Sequence, residues 1–221
     1  MMKNFDLDRV VADGKLKYFI IGQKEYSSSR PEDDTARWNA LKSYYDSLST
    51  SLEIKAQIKK EVLSLFAEKD VTSKRICLLL SRVLFLVECK ELLIHFLINQ
   101  ELVNLDSRIQ NDIWVTISYF RIKELEWKLA DYVVKSKILK TFLLTSQTRL
   151  NETAVSDDDL WRIALLANYY DFSNAEIRDE IELQVLQAIK SGSTKINSIL
   201  KKYSTECHDS KLGIFLRKLI S

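Results

Sequence analysis

The stretch SDDDLWRIALLANYYDFSNAEIRDEIELQVLQAIKSG, residues 156–192, contains two successive helix patterns and sets the predicted fold class. Ser156 precedes three aspartates, and an apolar run from Leu160 to Tyr169 follows them. A serine in this position can accept a backbone N–H hydrogen bond, and the acidic side chains offset the positive end of the helix dipole. The first half of the stretch therefore predicts a helix that begins at Ser156.

The second half of the stretch repeats this pattern with a different cap. Ser173 is followed three residues later by Glu176, which is the spacing of a capping box. Apolar residues then recur at helical spacing, and Gly192 follows the last of them, where a left-handed residue commonly ends a helix. We predict that a second helix begins at Ser173 and ends before Gly192.

Similar signals recur along the chain from residue 31 onward. The only proline, Pro31, stands before a run of three acidic residues, and further candidate caps lie at Thr72 or Ser73 and at Asp106 or Ser107. The periodicity predicts roughly nine to eleven helices. The strongest starts, near residues 31, 72, 107 and 156, favour stacked antiparallel helix pairs, either a HEAT-like or armadillo-like irregular solenoid or a helical bundle.

Glycine is scarce, and this argues against a sheet. The chain has four glycines, and none lies between Gln23 and Ser191. A β-rich protein needs residues with positive φ at many tight turns, so a sheet is disfavoured, although the β-branched segment from Ile113 to Ile117 retains strand as an alternative. The same scarcity excludes glycine-rich phosphate loops, and we expect no nucleotide cofactor of those kinds.

The first 30 residues have the least regular pattern. Residues 5–12 fit a short helix, and the apolar run from Leu16 to Ile21 fits either a strand or a helix. We therefore predict an N-terminal segment of residues 1–30 that packs on a single α-helical domain of residues 31–221.

Cysteine usage and the N-terminus predict a cytoplasmic protein. The three cysteines are an odd number without metal-ligand spacing, and the charged N-terminus differs from an apolar secretion signal. The most apolar region, residues 76–100, is interrupted by charges and falls short of a membrane span, so we expect no membrane association.

Catalytic and metal-binding candidates are few. His95 lies in an apolar helical pattern without a marked partner, and Cys207 and His208 form an isolated pair. We interpret His95 as a core or groove residue, with a dispersed enzyme site near it as a minor alternative. The acidic runs stand at predicted helix starts, where capping explains them, and no metal or cofactor is expected.

Aromatic residues are more abundant than one buried stripe per helix can accommodate. The paired rings Tyr44 with Tyr45 and Tyr169 with Tyr170 point about 100° apart on a helix, so we expect one ring of each pair at the surface. Trp127 and Trp161 add to the excess. The candidate partner-binding residues are Tyr44, Tyr45, Trp161, Tyr169 and Tyr170, unless the rings only seal seams between helices.

Charge is concentrated at the C-terminus. Residues 186–221 carry seven Lys or Arg against two Asp or Glu. A basic end can contact phosphate, or it can simply offset the negative ends of the last helices. The candidate phosphate contacts are Lys195, Lys201, Lys202, Arg217 and Lys218.

These features favour a protein–protein interaction module over an enzyme. We expect an adaptor, an inhibitor or an immunity-type binding protein whose partner is another protein. The first alternative is a nucleic-acid-binding protein that uses residues 186–221, and the second is the enzyme with a site near His95.

Overall fold

The structure is all-α throughout the part of the chain it describes. This computed structural model describes residues 5–23, 31–48, 51–145, 155–207 and 209–220, without the side chains of residues 31–33. Within these ranges the chain forms thirteen α-helices and three short 3-10 turns, and no strand. The predicted fold class is confirmed, and the segment from Ile113 to Ile117 is helical. The stacked-pair or bundle arrangement stays a prediction.

The chain divides into two compact units, Met1–Gln100 with Asn104–Ile122 and Glu101–Val103 with Lys123–Ser221. The helices of the first unit are α1 Leu7–Ala12, α2 Leu16–Ile21, α3 Pro31–Ser47, α4 Leu52–Ser64, α5 Val71–Val83, α6 Cys89–Leu97 and α7 Ser107–Phe120. Those of the second are α8 Glu126–Lys135, α9 Leu139–Leu144, α10 Asp157–Phe172, α11 Ala175–Lys190, α12 Thr194–Glu206 and α13 Lys211–Ile220. The division of the chain at residue 30 stays a prediction.

Each unit has a core of fully buried aliphatic side chains. In the first unit α5 packs against α4 and α7, and α2 packs against α3, α4 and α5. In the second unit α10 is the central helix, in contact with α8, α9, α11, α12 and α13. Because α10 is covered by five helices, half of its residues are buried, including the charged Asp159 and Arg162.

Most predicted helix starts are confirmed, with corrections of one to three residues. Ser156 and Asp159 form a reciprocal capping box at the start of α10, with Asp159 N donating to Ser156 Oγ over 3.2 Å. The cap of α7 is Asp106. The cap of α5 is Asp70, which accepts from the backbone N–H of Ser73, so Thr72 and Ser73 were the wrong residues.

In the region without glycine, three helices end at a residue other than glycine that adopts the left-handed conformation. Phe85, Arg121 and Lys137 have φ of 54°, 47° and 55°. At each of these ends the following amide hydrogen-bonds back to a carbonyl five residues earlier, as Leu86 N does to Ser81 O over 2.8 Å. These residues take the position that glycine favours at a helix C-terminus.

The predicted capping box at Ser173 is wrong. Asn174 is the N-cap of α11, and its side-chain oxygen accepts from Ile177 N over 3.0 Å. Ser173 instead closes α10, where its hydroxyl donates to Tyr169 O over 2.6 Å. The backbone leaves the helical conformation at both residues, so the cap is displaced by one position.

Asn174→Ala is expected to lower the free energy of unfolding by about 1 kcal/mol, because the first turn of α11 loses its side-chain acceptor. Ser173→Ala should cost less, since a neutral serine-to-carbonyl bond near solvent contributes little. Denaturant unfolding of both variants measures the difference. A larger loss of stability for Ser173→Ala than for Asn174→Ala would mean that Ser173 caps α11, as the sequence pattern predicts.

Candidate functional site

Helices α8 and α10 are joined by aromatic and polar contacts. The rings of Trp127 and Tyr169 meet edge to face with centroids 4.6 Å apart. The Tyr169 hydroxyl donates to Asp131 Oδ1 over 2.7 Å, and Trp161 Nε1 donates to Glu126 Oε1 over 3.2 Å. These contacts set the position of both tryptophans.

Large apolar surface remains open beside these contacts. Trp127 is 53% exposed, and Phe172, the last residue of α10, is 80% exposed. Phe172 follows Tyr169 by three residues, so the two occupy the same side of the helix. We refer to Trp127, Trp161, Tyr169 and Phe172 as the α8/α10 aromatic face.

A chain of charged groups holds Tyr169 in place beneath Trp127. Asp131 accepts the hydrogen bond from the Tyr169 hydroxyl and also pairs with Lys135 Nζ at 2.9 Å, and Lys135 Nζ lies 3.7 Å from Glu101 Oε2. Burial and the hydrogen bond to Asp131 raise the pKa of Tyr169 well above its usual range. The phenol therefore stays a neutral donor, and the ring beneath Trp127 is fixed.

The expectation that one ring of the pair Tyr169 and Tyr170 faces solvent is wrong. Their exposed fractions are 3% and 7%, because α10 is covered on several sides. The Tyr170 hydroxyl donates to Glu182, and burial together with this contact raises the pKa of Tyr170 to about 12. Neither ring offers a free surface, so the open aromatic area comes from Trp127 and Phe172.

Tyr44 and Tyr45 in the first unit are both half-buried. The Tyr44 hydroxyl donates to Asp8 Oδ1 over 2.7 Å, and burial with this bond raises the pKa of Tyr44 to about 12. The Lys55 ammonium lies over the Tyr45 ring, 5.0 Å from its centroid. Both rings thus have partners within their own unit, which favours the seam interpretation at this pair.

The candidate phosphate contacts of the basic segment differ in their surroundings. Lys195 has a 19% exposed side chain and pairs at 3.5 Å with Asp159, whose side chain is fully buried. Lys202 lies 3.9 Å from Glu206, and Arg217 donates to Ser204 O over 3.2 Å. Lys201 and Lys218 are exposed. Lys195 therefore stabilises the start of α10 and is a poor candidate for binding phosphate.

His95 is exposed on α6, so the interpretation of it as a core residue is wrong. His208 falls outside the described residues, and Cys207 is half-buried. In the described ranges no three His, Cys, Asp or Glu residues are grouped so as to hold a metal ion. Among the same residues, no helix has both the length and the apolar composition required to cross a bilayer.

Sequence reasoning missed Phe172 and Phe85, which are among the most exposed aromatic residues described. Phe172 ends α10 immediately before a cap, and Phe85 occupies a left-handed helix end. Both residues lie at the end of a helix, where the apolar periodicity no longer indicates which side chains are buried.

Comparison with known proteins finds no matching family model, no similar curated protein and no similar solved structure.

Proposed function

We propose that this chain is an α-helical protein-binding module and that the α8/α10 aromatic face is its contact surface. The observation that supports this is the exposure of Trp127, whose ring contacts the anchored Tyr169, and of Phe172, which follows Tyr169 by three residues on α10. Tryptophan and tyrosine are enriched among the residues that dominate binding energy at protein interfaces.

The anchoring of the face supports the same proposal. Binding is weakened by the entropy lost when side chains become ordered. Trp127 rests on Tyr169, which Asp131 and Lys135 hold in turn, so a tryptophan in this setting has little freedom to lose. If a partner buried the Trp127 ring in an apolar pocket, most of the free energy of that burial would therefore contribute to binding.

An adaptor, an inhibitor or an immunity-type antagonist would use such a face, and we propose that it acts in the cytoplasm. The three cysteines are unpaired, in keeping with a reducing compartment. The proposal includes no catalytic step and no cofactor.

Copurification from native cells tests the proposal. The double variant Trp127→Ala with Phe172→Ser should lose at least one protein that the unmodified chain retains. Phe85→Ser is the control, because it removes from the first unit an aromatic ring that is 64% exposed, a fraction between those of Trp127 and Phe172. Circular dichroism confirms that each variant is folded. Equal recovery of every partner with both variants would contradict the proposal.

Nucleic-acid binding is the second candidate function, favoured by the exposed Lys201 and Lys218 in a segment with a surplus of five positive charges. Reversal of Lys195 is a poor test, because it would place a glutamate beside the buried Asp159. Reversing Lys201, Lys202 and Lys218 to Glu avoids this. We expect only weak binding that disappears near physiological salt, since each phosphate contact releases counterions. Sub-micromolar binding at that salt, lost in the triple reversal, would favour this candidate instead.

A further inference from the structure

Two arginines of α5 face a single carboxylate of α7. Arg75 and Arg82 are seven residues apart on α5, so both side chains lie on the same side of that helix. Arg75 Nε donates to Asp112 Oδ2 over 2.7 Å, and Arg82 Nη2 lies 3.6 Å from Asp112 Oδ1. Two positive charges therefore share one negative charge, and the three side chains together carry a net charge of +1.

Arg82 has few partners for a side chain that is mostly buried. Its side chain is 15% exposed, and its Nε has no hydrogen-bond acceptor in the described part of the chain. Its ion pair with Asp112 is longer than a hydrogen bond. Burial lowers the pKa of Arg82, although Asp112 offsets part of this effect. Because buried guanidinium groups normally donate to several acceptors, Arg82 has the capacity to bind a second anion.

The donors that remain can be reached from solvent. Arg75 has a 51% exposed side chain, and its contact with Asp112 uses Nε, which leaves the two terminal nitrogens as donors. In Arg82 the enclosed nitrogen is Nε, whereas both terminal nitrogens keep some exposure. A ligand at the surface between α5 and α7 can therefore accept hydrogen bonds from both guanidinium groups.

We propose that Arg75 and Arg82 form a phosphate-binding site at the surface between α5 and α7. A phosphate group carries about −1.5 to −2 charges near neutral pH and has several strong acceptor oxygens, so it can bridge two guanidinium groups. The planar fork of arginine matches the geometry of such oxygens. The negative charge of the phosphate offsets the surplus of +1 that Asp112 leaves. Because all three residues belong to the first unit, the inference does not depend on the α8/α10 aromatic face.

Titration of the intact chain with sodium phosphate, at an ionic strength held constant with sodium chloride, tests this inference. Arg82→Met should weaken phosphate binding about tenfold or more, because a charged donor group is lost. Arg108→Met is the matched control, since Arg108 is an exposed arginine of α7 that pairs with Asp106 instead. Isothermal titration calorimetry measures both affinities, and circular dichroism verifies the fold. Equal affinity in the two variants, or no binding by the unmodified chain up to about 10 mM phosphate, would overturn the proposal.

Two further variants separate this site from a general attraction of anions to positive charge. Arg75→Met removes a half-exposed side chain and should weaken phosphate binding in the same direction, even if Arg82→Met fails to fold. Asp112→Asn should strengthen phosphate binding, because the carboxylate competes for the same donors and repels a second anion. Unchanged affinity in Arg75→Met, or weaker binding by Asp112→Asn, would contradict the assignment.

Two other probes define the ligand. O-phosphoserine distinguishes the sources of the phosphate group: binding at least as tight as that of inorganic phosphate would indicate a phosphate carried by a larger molecule, and weaker binding would indicate the free ion. Sodium acetate should bind more weakly than either probe, because a carboxylate has a single charge and two oxygens. Acetate binding as tight as phosphate binding would rule out a phosphate site.

Discussion

Gly213→Ala is expected to lower the free energy of unfolding by about 2 kcal/mol, although alanine is the better helix former. A Cβ atom at Gly213 would overlap the backbone carbonyl oxygen of Cys207 and come within 2.8 Å of Ser210 Oγ. Ser210 Oγ also accepts from Gly213 N over 2.9 Å. The missing side chain is what lets α13 fold back closely on the end of α12.

Ser198→Ala in α12 is the control for this variant. Ser198 is exposed in the middle of a helix, so alanine there should leave stability unchanged or raise it slightly through helix propensity. Thermal or denaturant unfolding of both variants gives the comparison. Stabilisation by Gly213→Ala would show that α13 does not approach Cys207 as described.

Arg162→Met is expected to lower the free energy of unfolding by about 3 kcal/mol. The arginine is 2% exposed, and its Nη1 donates to Phe142 O over 2.8 Å while Nε donates to Asp158 over 3.1 Å. The guanidinium also lies over the Phe142 ring, 5.0 Å from its centroid. Methionine keeps most of the apolar volume but removes both hydrogen bonds and the charge that faces Asp158.

Arg108→Met is the matched control, because Arg108 makes as many contacts but at the surface. It has three side-chain hydrogen bonds to Asp106, yet its side chain is 68% exposed. Water competes for such a pair, so little change in stability is expected. Asp106 still caps α7 through the Arg108 amide. Equal losses from both variants would mean that burial does not set the strength of the Arg162 contacts.

Local chemistry was enough to predict the helical class and many helix ends. The box at Ser156 and the stop at Gly192 depend on neighbouring residues, and the structure confirms both. Adjacent capping residues are harder to separate, since Ser173 and Asn174 both have side chains that can cap. The choice of Asn174 depends on where α10 ends, which periodicity fixes only to within a residue or two.

Exposure at the candidate site could not be predicted in the same way. Tyr169 and Tyr170 are both buried because α10 is the central helix of its unit. The spacing of apolar residues along a helix does not show how many other helices pack around it. The ion pair of Lys195 with Asp159 joins residues 36 positions apart, so no local sequence pattern predicts it. Trp127 was part of the aromatic excess, but its exposure became visible only with its neighbours in place.

Photo-crosslinking at position 127 in native cells tests the protein-binding face most directly. Trp127→benzoylphenylalanine keeps a large aromatic group on the α8/α10 aromatic face, and Tyr18→benzoylphenylalanine places the same probe at another half-exposed ring in the first unit. We predict a discrete crosslinked protein at position 127 that is absent at position 18 and that is also lost when Phe172→Ser is added. The absence of any protein adduct at position 127, or the same adducts at both positions, would contradict the account.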